Sequence, residues 1–331
     1  MAEGKPWASR VRGWLHHDAD PPPARPERAA ELAVLAERLM AAERPLVIAG
    51  SGVVAADAVP GLRALAAEAR VGVYNTWRAK GVLPWDSDFH LGTIGLQERD
   101  LELCELDGYD LVLATGIVEG EPPALPDGLD TVHCPVEDLE ILAVRCADRE
   151  GAETTDAPLR ERLAAVVQKA WGGAKPPLAP TLITRQYALL LGDRGMVAAD
   201  AGTAGFYLGR TFPTLRPRTV ELPLAPTPGF AAEAVLARRS VEPDLPALAL
   251  VDGTGPDAAT QAVVDAAAAR GIAVPVVCWS PDGPQVGIEE HLDDVRKAVA
   301  ANRPVVVAVG YDAAQLADLE HVAGHITAWR V

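Results

Sequence analysis

Short apolar runs that alternate with helical patterns are the feature that most restricts the fold of this chain. The run Pro45–Ala49 ends at Gly50, and the run Leu111–Thr115 ends at Gly116. Runs this short, separated by helices, are typical of buried parallel strands in a sheet that helices cover on both faces. Further strands are predicted at 71–75, 131–134, 196–199, 247–251, 274–278 and 304–309, with a long polar loop through 84–95. Helices are predicted at 27–42, 59–70, 159–171, 183–191, 231–238, 258–270 and 289–300.

A stretch rich in glycine and proline divides the alternating pattern into two halves. Residues 172–177 read Gly-Gly-Ala-Lys-Pro-Pro, a composition that is typical of a domain boundary. We therefore predict an α/β protein with two doubly wound parallel-sheet domains, a Rossmann-like domain at 26–172 and a second domain at 178–331. The three prolines at 21–23 cannot lie inside a helix, so residues 1–25 are predicted to form an arm.

Composition and charge exclude several classes of function. The chain has 331 residues, of which 49% are hydrophobic, and this is enough for two domains with apolar cores. Its net charge of -16 is spread along the sequence and argues against a nucleic-acid partner, because phosphate backbones require a basic surface. No apolar run is long enough to span a membrane and the N-terminus has no secretory pattern, so we expect a cytoplasmic protein without membrane contact.

A glycine turn follows the first strand and is the first candidate binding site. Gly50, Ser51 and Gly52 stand between a strand and a helix, where backbone N–H groups can bind a phosphate. The turn lacks a third glycine at the spacing of dinucleotide-binding motifs, and no acidic residue ends the next strand. Two interpretations are open at this point: a nucleotide-binding turn, or a tight turn without a ligand.

The first half of the chain resembles the central domain of a known enzyme family. The strings RPLVIAGSGV, VGVYNTWRAKGVLP, HLGTIG and YDLVLATG are similar to that domain in the acetolactate synthase and pyruvate oxidase superfamily, whose enzymes use thiamine diphosphate. The resemblance implies a six-stranded parallel sheet, with flavin or an adenine nucleotide as a candidate ligand at the glycine turn. The matching positions are Gly50, Gly52, Lys80, Gly81, Pro84, Gly92, Gly95, Asp110 and Gly116.

The second half resembles the diphosphate-binding domain of the same family. The strings VAADAGTAGFYLGRTFP, TPGFAAEAVLAR, PALALVDGTG and IAVPVVCWSPDG occur in the family's order. The resemblance implies thiamine diphosphate and Mg²⁺ as candidate cofactors at the carboxyl ends of these strands. The positions it implies for cofactor binding are Asp200, Gly202, Thr203, Gly229, Phe230, Asp252, Gly253 and Thr254.

The metal site departs from the family's pattern. In the family, Mg²⁺ is held by the Asp of a Gly-Asp-Gly motif and by an Asn some twenty-five to thirty residues further on. Here Val251 replaces the first glycine, and Trp279 and Ser280 replace an Asn-Asn pair. Trp279 offers no oxygen ligand, so the candidate Mg²⁺ ligands are Asp252 and Ser280, with Asp282 as an alternative to Ser280. The alternative for Asp252 is that it caps the helix that follows it.

The family's N-terminal pyrimidine-binding domain, which carries the glutamate that activates the cofactor, has no counterpart in the sequence. The resemblance therefore implies a subunit or accessory protein of a carbon–carbon lyase or carboligase that acts on 2-oxoacids or acyl-CoA compounds. A partner chain would supply the pyrimidine-binding domain, and no residue of this chain is predicted to be catalytic on its own. The alternative is a non-catalytic pseudoenzyme that serves as a scaffold or as a nucleotide or flavin sensor. A homodimer is expected in either case.

Overall fold

A computed structural model describes residues 26–126, 128–147, 149–150 and 156–329. The predicted arm at 1–25 lies outside the described residues. The strands of the first half are β1 (Pro45–Ala49), β2 (Gly72–Thr76), β3 (His90–Ile94), β4 (Leu111–Thr115) and β5 (Thr131–His133). Its helices are α1 (Pro26–Ala41), α2 (Gly52–Ala55), α3 (Val59–Glu68), α4 (Asp100–Leu103), α5 (Leu139–Arg145) and α6 (Pro158–Lys169).

The second half repeats the same alternation of strands and helices. Its strands are β6 (Met196–Ala199), β7 (Val220–Glu221), β8 (Ala247–Asp252), β9 (Pro275–Ser280) and β10 (Val305–Gly310). Its helices are α7 (Pro180–Leu191), α8 (Thr203–Thr211), α9 (Phe230–Val241), α10 (Ala258–Arg270), α11 (Ile288–Ala300) and α12 (Ala314–Ala323). No helix in the described part of the chain is both long enough and apolar enough to cross a membrane.

Both halves form five-stranded parallel sheets, which confirms the predicted fold class. The first sheet has the strand order β3-β2-β1-β4-β5, and the second has the order β10-β9-β8-β6-β7. The direction of winding reverses between β1 and β4 in the first sheet and between β6 and β8 in the second. Open parallel sheets bind ligands at such a switch point, at the carboxyl ends of the strands. The glycine turn lies at the first switch point, and Asp200 and Asp252 lie at the second.

Strand β3 was predicted to be a polar loop, and this prediction was wrong. All five residues of β3 are buried although the strand contains His90 and Thr93. The His90 Nε2 atom lies 2.9 Å from Asn75 Oδ1 on the neighbouring strand, and Asn75 Nδ2 donates to Thr93 Oγ1 at 3.3 Å. Because these groups bond to one another across two strands, burial is tolerated and the apolar pattern is lost. The short strand β7 and helix α8 were also not predicted, and the first sheet has five strands rather than six.

A continuous apolar core joins the two sheets. It contains the side chains of Leu46 and Tyr74 from the first sheet and those of Leu248 and Val277 from the second. The sheets therefore share buried surface instead of being connected by the linker alone.

A buried ion pair also crosses the junction between the two halves. Arg210 at the end of α8 donates through Nη2 to Asp100 Oδ1 at 2.6 Å, and each side chain is only 1% exposed. Arg210 Nη1 also donates to the carbonyl of Thr93 at 2.8 Å. The second half is thus attached to α4 and β3 of the first.

Candidate functional site

At the first switch point, the two glycines of the turn are required by close packing of backbone. A Cβ atom at Gly50 would lie 2.5 Å from the carbonyl oxygen of Gly116, and one at Gly52 would lie 2.7 Å from the same atom. These distances are shorter than any real Cβ contact, so a side chain at either position would force the turns after β1 and β4 apart. Close packing alone therefore explains why glycine stands at both positions, and no ligand is needed to explain it.

The donors of this turn are bound to a carboxylate of the chain itself. Glu121, which is buried, accepts hydrogen bonds from the Ser51 backbone N–H at 3.1 Å and from Ser51 Oγ at 3.0 Å. It also accepts from the Val118 N–H at 3.2 Å and from the Thr76 hydroxyl. The Ser51 N–H that a nucleotide phosphate would need therefore already has an anionic partner. Sequence reasoning missed Glu121, because nothing in the local pattern links it to a turn seventy residues earlier.

At the second switch point, Asp200 caps a helix. It follows β6 and accepts hydrogen bonds from the N–H groups of Gly229 at 3.2 Å and Ala231 at 2.7 Å, at the start of α9. Burial raises the pKa of Asp200, and the negative charges of Asp257 and Glu233 act in the same direction. The amides that could bind a diphosphate at this helix are thus occupied by the carboxylate.

Asp252 has the same function at a different helix. It ends β8 and accepts hydrogen bonds from the N–H groups of Thr203 at 2.6 Å and Ala204 at 2.9 Å, at the start of α8. The prediction that it caps the following helix was wrong, since Asp257 caps α10 through the Thr260 N–H at 2.7 Å. The reason is the strand order: β6 and β8 are neighbours, so the carboxyl end of β8 meets the helix that follows β6.

The two predicted metal ligands are not placed as a pair. Asp252 is paired with Trp279 in the register of β8 and β9, and Ser280 is one residue further on. Side chains alternate along a strand, so Ser280 and Asp252 point to opposite faces of the sheet. The Ser280 hydroxyl accepts from the Asp282 N–H at 3.2 Å. Among the described residues, no group of three or more His, Cys, Asp or Glu side chains is placed to hold a metal ion.

Trp279 fills the space beneath this edge of the second sheet. Its side chain is 1% exposed and its indole N–H donates to the hydroxyl of Tyr187 at 3.4 Å. The rings of Tyr207 and Tyr311 lie within 6.4 Å of it, centroid to centroid. The Tyr187 hydroxyl in turn lies 2.6 Å from His291 Nε2. Trp279 is therefore part of an aromatic core.

The remaining predicted positions lie along the same edge of the second sheet. Gly202 approaches Asp252 so closely that a Cβ atom would lie 2.2 Å from Oδ2 of that residue. Gly229 and Gly253 have positive φ values of +80° and +120°. Phe230 is the first residue of α9, and Thr254 is exposed in the loop after β8. The structure brings these residues together, and they surround the carboxylates of Asp200 and Asp252.

Comparison with known proteins identifies the first half by sequence. Residues 32–159 match the family model of the thiamine pyrophosphate enzyme central domain. A stretch of 118 residues is 33% identical to the glyoxylate carboligase of Escherichia coli O157:H7, and this match covers 34% of this chain and 20% of the carboligase. The chain therefore matches only a fifth of the length of that carboligase.

The second half is related to known proteins through its fold. A solved structure of a candidate thiamin diphosphate-dependent enzyme from Mycobacterium smegmatis is similar to 86% of this chain, with a TM-score of 0.64 and 17% sequence identity. The match covers 64% of that chain. At this level of identity the similarity concerns the fold, and it extends over both sheets. Together, the comparisons show that residues 32–159 belong to the family of thiamine pyrophosphate enzyme central domains, and that the fold of the chain is similar to that of this solved structure.

Proposed function

We propose that this chain is a non-catalytic member of the superfamily of thiamine-diphosphate-dependent enzymes, an accessory or scaffold protein that does not bind thiamine diphosphate by itself. The observation that carries the proposal is the pair of carboxylates at the second switch point. Asp200 and Asp252 occupy the backbone donors at the starts of α9 and α8.

The superfamily's cofactor, thiamine diphosphate with Mg²⁺, does not fit the residues at this edge. A diphosphate needs free N–H donors at a helix N-terminus and a metal ion with several oxygen ligands. Here a diphosphate would meet two carboxylates, and like charges at short range repel strongly where water is partly excluded. Ser280 points away from Asp252, so the two cannot share one Mg²⁺ ion. No reaction step through the cofactor is therefore proposed for this chain.

A nucleotide or flavin at the glycine turn is disfavoured for the same reason. Glu121 already supplies the negative charge that a phosphate would bring to the Ser51 N–H. Among the non-catalytic functions, a scaffold or accessory protein is therefore favoured over a nucleotide or flavin sensor.

A second candidate function is a subunit of a carbon–carbon lyase or carboligase. The 33% identity to a glyoxylate carboligase over 118 residues favours this class of reaction over others. A partner chain with a pyrimidine-binding domain would then have to supply the catalytic glutamate, and the carboxylates would have to release their helices when the cofactor binds.

We also propose that the chain forms a homodimer. Two valines of the first domain have exposed side chains. Val34 on α1 is 57% exposed, and Val144 on α5 is 73% exposed. A contact with a second copy of the chain would bury these side chains. Sedimentation equilibrium measures the oligomeric state directly, and a monomer at micromolar concentration would refute this proposal.

Isothermal titration calorimetry with thiamine diphosphate and Mg²⁺ tests the proposed function. We expect no saturable binding to the chain alone, because the donors are occupied. The double variant Asp200→Asn with Asp252→Asn keeps the oxygen acceptors and removes both charges, so it is expected to bind inorganic pyrophosphate more tightly than the unmodified chain. Micromolar binding of the cofactor to the unmodified chain would refute the proposal. Binding only in a mixture with a separate pyrimidine-binding chain would support the second candidate.

A further inference from the structure

A cavity of about 700 Å³ lies between the two halves of the molecule, away from both switch points. Helices α6 and α7 form two of its walls, and its volume is in the range that holds small organic ligands. Three large apolar side chains at its lining remain exposed: Trp85 at 45%, Leu189 at 66% and Leu215 at 40%. The exposed apolar surface at the rim and the apolar walls favour a ligand with an aliphatic or aromatic body.

Lys80 contributes a buried amino group to this cavity. Its side chain is only 6% exposed, and no hydrogen bond or ion pair links it to any residue in the described part of the chain. Buried ammonium groups ordinarily have a carboxylate partner, because an uncompensated charge is costly. A buried lysine that lines a cavity without such a partner is therefore available to an anion from outside.

The other charges around the cavity do not neutralise Lys80. Arg210 is already paired with Asp100, and Arg160 donates to the carbonyl of His90 at 2.5 Å without a carboxylate partner. Asp86 is exposed, and Asp193 is held by Arg216 at 2.8 Å. The charged and titratable groups that line the cavity besides Lys80 are Asp86, His90, Arg160, Arg185, Asp193 and Arg210. The inner part of the cavity is thus cationic, in a protein whose net charge is -16.

An aromatic wall completes the site. The guanidinium carbon of Arg185 lies 4.7 Å from the centre of the Trp171 ring, and both residues line the cavity. The stacked pair holds the indole ring in place and offers a flat surface for a second ring.

We propose that this cavity binds an organic anion, with an acidic group held by Lys80 and an apolar body packed between α6 and α7. Sequence reasoning assigned Lys80 only to the family pattern and gave it no ligand. The site is independent of the proposed function, because none of its lining residues belongs to the two switch points.

The protonation of Lys80 gives the binding a characteristic pH dependence. Burial, with a smaller contribution from the charge of Arg210, lowers the pKa of Lys80 to about 7. Burial also lowers the pKa of His90 to about 3, so His90 is neutral throughout the neutral range. Carboxylates and guanidinium groups ordinarily keep their charge between about pH 6 and pH 8. Affinity for an anion should therefore fall as the pH rises through the pKa of Lys80.

Fluorescence titration with two matched probes tests the site. Anilinonaphthalene sulfonate carries a permanent negative charge, and N-phenylnaphthylamine has the same rings without the charge. We expect Lys80→Met to weaken sulfonate binding by about tenfold or more, which corresponds to about 1.4 kcal/mol, and to leave the neutral probe unaffected. Lys175→Met, at an exposed lysine, is the matched control and should change neither affinity. Lys80→Arg should retain sulfonate binding and lose its pH dependence.

The location of the probe is tested by filling the cavity. Ala164 lines it, and Ala164→Trp should abolish binding of both probes. The proposal is overturned if the sulfonate binds the Lys80→Met variant as tightly as the unmodified chain, or if both probes weaken equally in that variant. It is also overturned if the Ala164→Trp variant, shown by circular dichroism to be folded, retains the sulfonate affinity.

Discussion

At the scale of single residues, carboxylates occupy the positions that phosphate groups take in related folds. Glu121 binds the N–H of a glycine turn, and Asp252 binds the N–H groups at the start of α8. A carboxylate offers oxygen acceptors and a negative charge, as a phosphate does, so it satisfies the same backbone donors. These residues therefore stabilise the turns that a ligand would otherwise complete.

Replacing Glu121 tests this interpretation. Glu121→Ala leaves the half-buried Ser51 N–H and the buried Thr76 hydroxyl without a partner, so we expect the free energy of unfolding to fall by about 2–4 kcal/mol. Inorganic phosphate should stabilise the variant more than the unmodified chain, because the donors have become free. Urea unfolding with and without phosphate measures both effects. Glu119→Ala, at an exposed position beside it, should change neither quantity, and an equal phosphate effect in all three proteins would contradict the interpretation.

At the scale of elements, helix α8 connects the two halves. Its first turn is capped by Asp252, and its last turn carries Arg210 into the first half. Both side chains of the Arg210–Asp100 pair are almost fully buried, so neither charge can be solvated if the other is removed. Hydrogen bonds to charged side chains at both ends of α8 therefore hold the helix in its position between the sheets.

Removal of Arg210 should be strongly destabilising. We expect Arg210→Met to lower the free energy of unfolding by about 3–5 kcal/mol, because Asp100 is left buried without its cation. The double variant with Asp100→Asn should recover part of this loss. Guanidinium unfolding measures these differences. The exposed pair of Arg99 and Glu102 is the control: Glu102→Ala should have no measurable effect, and an equal loss in both cases would exclude burial as the cause.

At the scale of the whole molecule, the two sheets are not independent units. The apolar core that contains Leu46 and Leu248 is continuous, and breaking it would expose apolar surface of both halves. A cavity remains within this junction, so the same arrangement that couples the sheets also creates the proposed anion site.

The continuous core predicts cooperative unfolding of the entire chain. Differential scanning calorimetry should give a single transition, with a calorimetric enthalpy equal to the van't Hoff enthalpy. Binding or release of a ligand in the cavity should shift the midpoint temperature of the whole transition and should not split it into two. Two separate transitions would mean that the sheets unfold independently.

Much of the fold could be predicted from apolar patterns alone. Strand β6 and helix α10 have the predicted bounds, because an apolar run and a helical repeat are local signals. Strand β3 escaped prediction because its buried residues His90 and Thr93 are polar and bond to Asn75, which belongs to another strand. In a sequence, polar side chains in a segment indicate an exposed segment. Their hydrogen-bond partners on other strands are not visible in the local pattern.

The sequence by itself determined the alternation of strands and helices, the family of the first half and the presence of carboxylates at the strand ends. Only the tertiary structure decided which donors those carboxylates bind. Asp252 caps a helix that starts 49 residues before it, and Glu121 binds a turn 70 residues away. The order of strands in each sheet brings these partners together, and the cavity around Lys80 likewise exists only where the two halves meet. Contacts between distant segments leave no periodic pattern in a single sequence, so they had to be found in the fold.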